Sequence, residues 1–316
     1  PRLQVLRHLP HRPRPRGAGR GCGVCYDVTA YDPLKAPRPG EGLFLRPPSR
    51  RAIIFSESIS AAKVRRAPEN VKREWEEKMK VTALLTGRGN NTLKDKNILD
   101  VLGHPVLYYP AHAARMAKSI DTYYCSSDDE KILEAAEKEG FQRIVRPEYL
   151  GAPTAQHVDV IKHAVGFIKE KEELGDILVV ILANNITIKS EWIDDCVKMM
   201  QNDMSLSAVV PVYEDNDHHP LRGKRIDENG RLAMYEQGIT GHISTNRQDL
   251  PVCYFLSHNI WVLNTKKMLE SNYEGQQPWG FMGQNIAYYE IEESIDIHKK
   301  IDLYIAKEWI KENYVD

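Results

Sequence analysis

The chain is predicted to fold as an α/β domain on a doubly wound, mostly parallel sheet with a small β-rich insertion. Three observations carry this expectation. Between residues 81 and 213, short apolar runs alternate with amphipathic helical patterns, the rhythm of strand–helix–strand crossovers. In the run "DILVVIL" (176–182) every residue after Asp176 is apolar, as expected of a strand covered on both faces. After Tyr213 the helical patterns give way to a hairpin and two further strand patterns.

Taken in order, "KVTALL" (80–85) is the first strand, and "HPVLYYPAHAARMAKS" (104–119) reads as a helix whose first turn Pro110 disturbs. "IDTYYC" (120–125) is a strand. "SDDEKILEAAEKEG" (127–140) is a helix with Ser/Asp at its start and Gly140 as its stop. "FQRIVR" (141–146) is a strand, and "TAQHVDVIKHAVGFIKEKEE" (154–173) a helix with apolar residues at helical spacing. The strand 176–182, the helix "KSEWIDDCVKMMQN" (189–202) and the strand "LSAVVPVY" (206–213) complete the alternation. "KRIDENGRLAMYE" (224–236) is a hairpin turning at Glu-Asn-Gly. "CYFLSHNIWVLN" (253–264) reads as one apolar strand, "YYEIEESIDIH" (288–298) as an alternating one, and "KKIDLYIAKEWIKEN" (299–313) as a helix with its apolar face at 301, 303/305 and 309/310.

The formal net charge of −1 over 316 residues conceals an asymmetry. Residues 1–66 hold 14 Lys/Arg against 4 Asp/Glu, and 9 of the 18 prolines. With no sustained apolar period, that stretch cannot offset its ordering entropy by burial, and a disordered basic tail is expected there. Residues 67–79 read as a short charged helix opening the folded domain, which would then be 67–316. The tail's Arg- and Ser-containing, acid-poor composition also fits a transit segment. It lacks the interleaved aromatics of a nucleic-acid or membrane partner. No uninterrupted apolar stretch reaches the ~18–20 residues of a membrane span, so a soluble protein is expected. Five cysteines, an odd number with a lone CxxC at Cys22–Cys25, argue against a disulfide framework and for a reducing, cytoplasmic setting.

The segment "LTGRGNNTLKDKN" (85–97), directly after the first strand, carries more permissive and cationic residues than a turn needs. In open parallel sheets, ligands sit beyond the carboxyl ends of the strands, and the first strand–loop–helix crossing is the usual phosphate site. Gly87 and Gly89 allow close backbone approach, and Arg88, Lys94 and Lys96 supply positive charge for oxygens. The spacing is neither G-x-G-x-x-G nor G-x-x-x-x-G-K-[ST], which disfavours a dinucleotide fold or a P-loop kinase.

This loop resembles the opening signature of the CMP-sugar synthetases, the acylneuraminate-type cytidylyltransferases. Their first strand ends in Ala-Arg-Gly/Gln-Gly/Asn-Ser-Lys-Gly-x-Pro-x-Lys-Asn. Arg88, Gly89, Lys96 and Asn97 fall on the Arg, the residue after it and the terminal Lys-Asn, with one residue deleted between. Further blocks follow in the family's order. "SSDDEKI" (126–132) is similar to Ser-Thr-Asp-x-x-x-Ile, and "VRPEYLGAPTAQHVDVIKHA" (145–164) to an Arg-Pro-x-x-Leu-Ala…Thr-Ala-Ser-Ser block. "HHPLR" (218–222) is similar to His-x-Pro-x-Lys, "NRQDLP" (246–251) to Arg-Gln-x-Leu-Pro, and "ESIDIHKKIDL" (293–303) to Ser-Ile-Asp-Ile-Asp-x-x-x-Asp.

The resemblance implies a Rossmann-like nucleotidyltransferase fold and transfer of CMP from CTP to an anionic acceptor, an acid sugar of the nonulosonate or 3-deoxy class or a phosphonate, with pyrophosphate leaving. It implies that Arg88 and Lys96 are catalytic, holding the triphosphate and stabilising the departing charge. The nucleotide is expected on Leu85, Gly87, Arg88, Gly89, Asn97, Arg146, Ala183 and Asn184. The acceptor is expected on Gln156, His157, His219, Arg222, Arg247 and Gln248. Asp296 is the expected Mg²⁺ ligand. His298 stands where the family has a second Asp, so it orients a water, binds a softer ion such as Mn²⁺, or serves as a base. A homodimer exchanging an arm at 214–250 is also implied.

Most of the departures lie outside the phosphate and metal positions. Ala183 replaces a Gln, Gln156 and His157 replace two Ser, Phe255 and Ser257 replace an Arg and an Asn, and the loop Lys is missing, with Lys94 two places away. Two other readings therefore stand beside the first. One is a catalytically inactive nucleotide- or sugar-binding protein of the same fold, and the other a sugar-1-phosphate nucleotidylyltransferase.

Overall fold

The computed structural model describes residues 78–89, 91–238 and 241–314. The tail expected at 1–66, its Cys22–Cys25 pair and residues 67–77 of the expected opening helix lie outside these residues. Residues 78–80 enter the first strand without a helical turn.

Strand β1 (Val81–Thr86) is followed by a 3₁₀ turn (Lys96–Ile98), a two-residue ladder of β2 (Asp100–Val101) with β3 (His104–Pro105), and helix α1 (Tyr108–Met116). Then come β4 (Thr122–Ser127), α2 (Glu130–Lys138), β5 (Gln142–Val145), α3 (Glu148–Gly151), α4 (His157–Glu170), β6 (Ile177–Leu182), α5 (Ser190–Asn202) and β7 (Ala208–Glu214). The remainder holds the hairpin β8 (Lys224–Ile226) and β9 (Leu232–Met234), then β10 (Tyr254–Leu256), β11 (Ile260–Asn264), α6 (Thr265–Glu270), β12 (Ile286–Glu290) and α7 (Lys300–Asn313).

The central sheet runs β5–β4–β1–β6–β11–β7, and β7 also pairs β10 and β12. β1, β4, β5, β6, β7 and β12 point one way, while β10 and β11 run against them. The mostly parallel, doubly wound class is as expected. Strand alternation divides the core: Val81, Ala83 and Leu85 face α1, α2 and α5, while Leu84, Leu178 and Val180 face α4 and Trp261. Asp129 caps α2 by accepting from Lys131 N at 2.8 Å, and Gly140 leaves that helix at φ +81°.

Three expectations need correction. The run 253–264 is two strands, not one. Buried Ser257 and Asn259 interrupt it: Ser257 N donates to Pro211 O, and Asn259 bridges Thr187 O and Ile260 N. The alternating strand at 288–298 ends at Glu290; beyond it Asp296 makes only a single antiparallel bridge, to Asn185. On α7 the buried stripe is Ala306, Trp309 and Ile310, with Leu303 packed against it, whereas Ile301 and Ile305 are exposed. The short elements β2, β3, α3 and α6 gave no periodic signal long enough to find.

Candidate active site

The carboxyl ends of β1, β5 and β6 open onto one cleft of about 340 Å³. The loop leaving β1 frames it. Gly87 N donates to Ser126 O at 3.2 Å and Gly89 N to Asp128 Oδ1 at 3.2 Å, so two loop amides are held by the end of β4. The Arg88 carbonyl accepts from Asn97 Nδ2 at 3.0 Å and from Asn91 Nδ2, closing the loop on itself. A Cβ on Gly89 would lie 2.5 Å from Asp129 Oδ2 and 2.6 Å from Asp129 Cβ. Gly89→Ala should therefore displace the α2 cap, costing roughly 1–2 kcal/mol of stability, the scale of losing an N-cap. Urea unfolding measures it, and an unchanged midpoint would show that the loop yields freely.

Arg88, Lys96, Asn97, Arg146, His157, Asn184, His258, Asp296 and His298 all line this cleft. Arg88 donates from Nη1 to Ala152 O at 3.1 Å. Burial and the nearby Arg88 charge hold the Lys96 ammonium below its ordinary pKa, against the pull of Asp296 and Asp302. Arg146 is buried and fixed by one residue, Nε to Ser126 Oγ at 2.9 Å and Nη2 to Ser126 O at 2.6 Å; burial lowers its pKa to about 10.

Asp296 is held from below. Its Oδ1 accepts from Asn185 Nδ2 at 2.8 Å, and Thr187 Oγ1 donates to Asn185 Oδ1 at 2.8 Å. Its Oδ2 lies 3.4 Å from His258 Nδ1. His298 is exposed at the rim, and its main-chain N donates to Asp302 Oδ2 at 2.7 Å. Among the described residues, no group of three or more His, Cys, Asp or Glu side chains converges to hold a metal unaided. A single anchored carboxylate fits Mg²⁺, which commonly takes one or two carboxylates and completes its shell with phosphate oxygens and water.

His157 packs against Trp261 and Phe281, with ring centroids 5.2 and 6.2 Å away. Burial, then Arg146 and His258, push its pKa down from 6.5 to about 3. The unfolded chain thus binds a proton at this site between those values while the folded chain does not. Stability from His157 is full above about pH 6.5 and is lost as pH falls toward 3. Between pH 6.5 and 5 the loss should be about 2 kcal/mol, at 1.36 kcal/mol per unit. His157→Phe should flatten this part of the acid limb in urea titrations, and an unaltered slope would show that the imidazole titrates normally.

Several expected residues lie elsewhere. The side chains of Leu85, on β1, and Ala183, in the turn just past β6, are fully buried in the core and do not line the cleft. Gln156 is exposed at the start of α4 and bonds Thr154 O. His219 is buried and accepts from Leu221 N, closing a turn. Arg222 and Arg247 both pair with Asp217, and Arg247 and Gln248 line a separate hollow of about 480 Å³ beside Glu214–Val252 side chains. In the single chain these four are not brought to the cleft. His258, conversely, was not expected there. The signal was the polar Ser-His-Asn triplet inside an apolar run, at the level where the neighbouring strands end.

The cytidylyltransferase family pattern matches residues 88–304. A pseudaminic acid cytidylyltransferase of Campylobacter jejuni subsp. jejuni serotype O:2 is 25% identical over 199 residues, covering 62% of this chain and 83% of that one. An N-acylneuraminate cytidylyltransferase of Escherichia coli O18:K1:H7 is 24% identical over 230 residues, covering 72% of this chain and about half, 51%, of its relative. Among solved structures, a CMP:2-keto-3-deoxy-manno-octonic acid synthetase complexed with CTP superposes with a TM-score of 0.55 at 13% identity, covering 74% of this chain and 99% of that one. That likeness speaks to the fold. With the family pattern spanning more than half of its length, this chain belongs to the cytidylyltransferase family.

Proposed function

We propose that the chain transfers CMP from CTP to an acid sugar, releasing pyrophosphate. The observation that carries this is the pairing of Arg88 with a Lys96 whose charge is already disfavoured by burial and by Arg88 itself. Two crowded cations beside a glycine-framed loop are relieved by a polyanion, and a triphosphate supplies one. In this reading an acceptor oxygen attacks the α-phosphorus and Arg88 and Lys96 neutralise the leaving pyrophosphate, so the protein's work is positioning and charge stabilisation. Asn97, Arg146 and Asn184 hold the nucleoside part, with Gly87 leaving room for its close approach; Gly89, expected there, has its amide on Asp128 and does not line the cleft.

Asp296 would hold Mg²⁺ together with the triphosphate; the bound ion would offset phosphate charge. A ligating His298 at the rim would make that shell more nitrogen-rich than a two-carboxylate site. His298→Asp should shift the Mn²⁺/Mg²⁺ activity ratio toward Mg²⁺ by several-fold, and an unchanged ratio would remove His298 from the metal's surroundings.

The relatives' names support an acid-sugar acceptor: pseudaminic acid, N-acylneuraminate and 3-deoxy-manno-octulosonate. We assign acceptor recognition to His219, Arg222, Arg247 and Gln248 of a second copy, because in one chain they stand outside the cleft. The exposed Ile226, Leu232 and Tyr235 around the β8–β9 hairpin support such a homodimer. A thermal-shift panel of CTP, UTP, GTP and ATP with Mg²⁺ tests the nucleotide. CTP at 100 times its Kd should stabilise by about 2.7 kcal/mol. Equal stabilisation by purine nucleotides would contradict the reading.

A further inference from the structure

Asp296 is anchored through one oxygen only. Oδ1 accepts from Asn185 Nδ2 at 2.8 Å, while among the described residues Oδ2 makes no hydrogen bond and stands 3.4 Å from His258 Nδ1. Both side chains line the cleft. One buried scaffold sets the two positions. Ser257, just before the histidine, bonds Ser294 Oγ at 2.8 Å, close in the chain to Asp296. Asn259, just after it, donates to Thr187 O at 2.9 Å, and Thr187 Oγ1 supports the same Asn185 that holds the carboxylate. Ser257, Asn259, Thr187 and Asn185 are all fully buried. The spacing of His258 and Asp296 is therefore built into the fold, as for a preorganised pair of ligands.

A charge-assisted hydrogen bond would bring such a pair to about 2.7–2.9 Å. At 3.4 Å the atoms have instead the spacing of two adjacent ligands on one cation. Bonds of about 2.1 Å, about 90–110° apart, set their donor atoms roughly 3.0–3.4 Å from each other. Ligation through Nδ1 requires the imidazole proton on Nε2. That nitrogen is buried with no oxygen or nitrogen partner among the described residues, and the ring packs at steep angles to Trp261 and Trp279, 6.0 and 5.0 Å away. An N–H among indole rings gains weak contacts with their π systems, whereas a lone pair there finds no donor. The Nε2–H form is thus the better one, and it leaves Nδ1 with a lone pair beside a carboxylate oxygen. Two such atoms are joined by a cation.

We propose that His258 Nδ1 and Asp296 Oδ2 together bind the divalent cation, so that His258 is the second protein ligand and tilts the site from Mg²⁺ toward Mn²⁺. The proposal rests on the reading of the cleft as a metal-dependent CTP site. A nitrogen ligand suits a transition metal, whereas Mg²⁺ keeps to oxygen. Among the described residues the His298 imidazole makes no hydrogen bond or ion pair, so the nitrogen that faces Asp296 comes from 258 and not from 298.

The test reads the cation directly rather than through turnover. The full chain with CTP and substoichiometric Mn²⁺, without acceptor, is measured by electron spin-echo spectroscopy as wild type, His258→Phe, His157→Phe and His298→Gln, which cover the histidines lining the cleft. Wild type should show the nitrogen modulation of an imidazole bound to Mn²⁺. It should vanish in His258→Phe, which keeps a ring against Trp261 and Trp279, and persist in the other two variants. Should the phenylalanine variant fold poorly, persistence in those two singles out His258, and heavy-nitrogen histidine in wild type should change the modulation frequencies. By calorimetry on the CTP complex, His258→Phe should weaken Mn²⁺ at least about tenfold, since even an outer-shell partner of a ligand is worth about 10–100-fold. Mg²⁺ should weaken by less than about threefold. Absence of the modulation from wild type with CTP bound, or its persistence in His258→Phe, would overturn the proposal while leaving the CTP site intact. Failure of wild type to bind CTP with either metal would overturn both.

Discussion

Arg88→Ala should lower CTP turnover about 10²-fold while leaving the melting temperature unchanged. The scale is that of one lost charge contact to a transition state. The fold should survive because Arg88 contributes to it chiefly through its main chain: its carbonyl accepts from Asn91 and Asn97, and both bonds persist in alanine. The side chain adds one hydrogen bond, to Ala152 O, at a half-buried surface. Removing Arg88 also relieves Lys96 of a like charge, so the lysine ammonium becomes easier to keep. The loss should therefore appear in turnover more than in CTP affinity. Steady-state pyrophosphate release with parallel calorimetry separates the two, and normal turnover would mean that the loop does not face the reacting phosphates.

Asp296→Asn should lower turnover by about 10²–10³-fold, again without unfolding the protein. The amide keeps an oxygen for Asn185 Nδ2, so the 2.8 Å bond and the Thr187–Asn185 support beneath it remain. Only the charge is lost. Because Asp296 raises the pKa of Lys96, its loss should push that pKa still lower and move the alkaline limb of the rate profile to lower pH. CTP binding without added metal should persist. A variant with normal rates across Mg²⁺ and Mn²⁺ would remove Asp296 from the metal site.

Much of this fold was legible because each element of the first half carries its own period. The uniform apolar runs of β1 and β6 and the capped, Gly-terminated α2 leave little ambiguity. Misread elements are those in which polar residues do tertiary work. Asn259 breaks the β10–β11 run because it bonds Thr187, distant in sequence, and no local pattern announces that partner. Asp296 is held in a single bridge by Asn185, again a contact made only once the chain has folded. The loop at 85–97 was legible as a site because its composition exceeds what a turn requires. His258 was not: the Ser-His-Asn triplet marks a break in the apolar run, but nothing in its spacing says which cleft the histidine reaches. The residues at 219–248 matched family blocks in sequence, yet the folded chain holds them away from the cleft, a placement that linear order does not encode.

Transfer of label tests phosphoryl chemistry at this cleft most directly. The full chain is incubated with CTP labelled at the α-phosphorus, Mg²⁺, and in turn pseudaminic acid, an N-acylneuraminate and 3-deoxy-manno-octulosonate, and the products are separated by anion exchange. With at least one acid, the label should move from CTP into a CMP conjugate with one pyrophosphate released per transfer, and Arg88→Ala should abolish most of it. Label that stays in CTP with every acid, while CTP still binds, would contradict the account and leave a nucleotide-binding protein on the same fold.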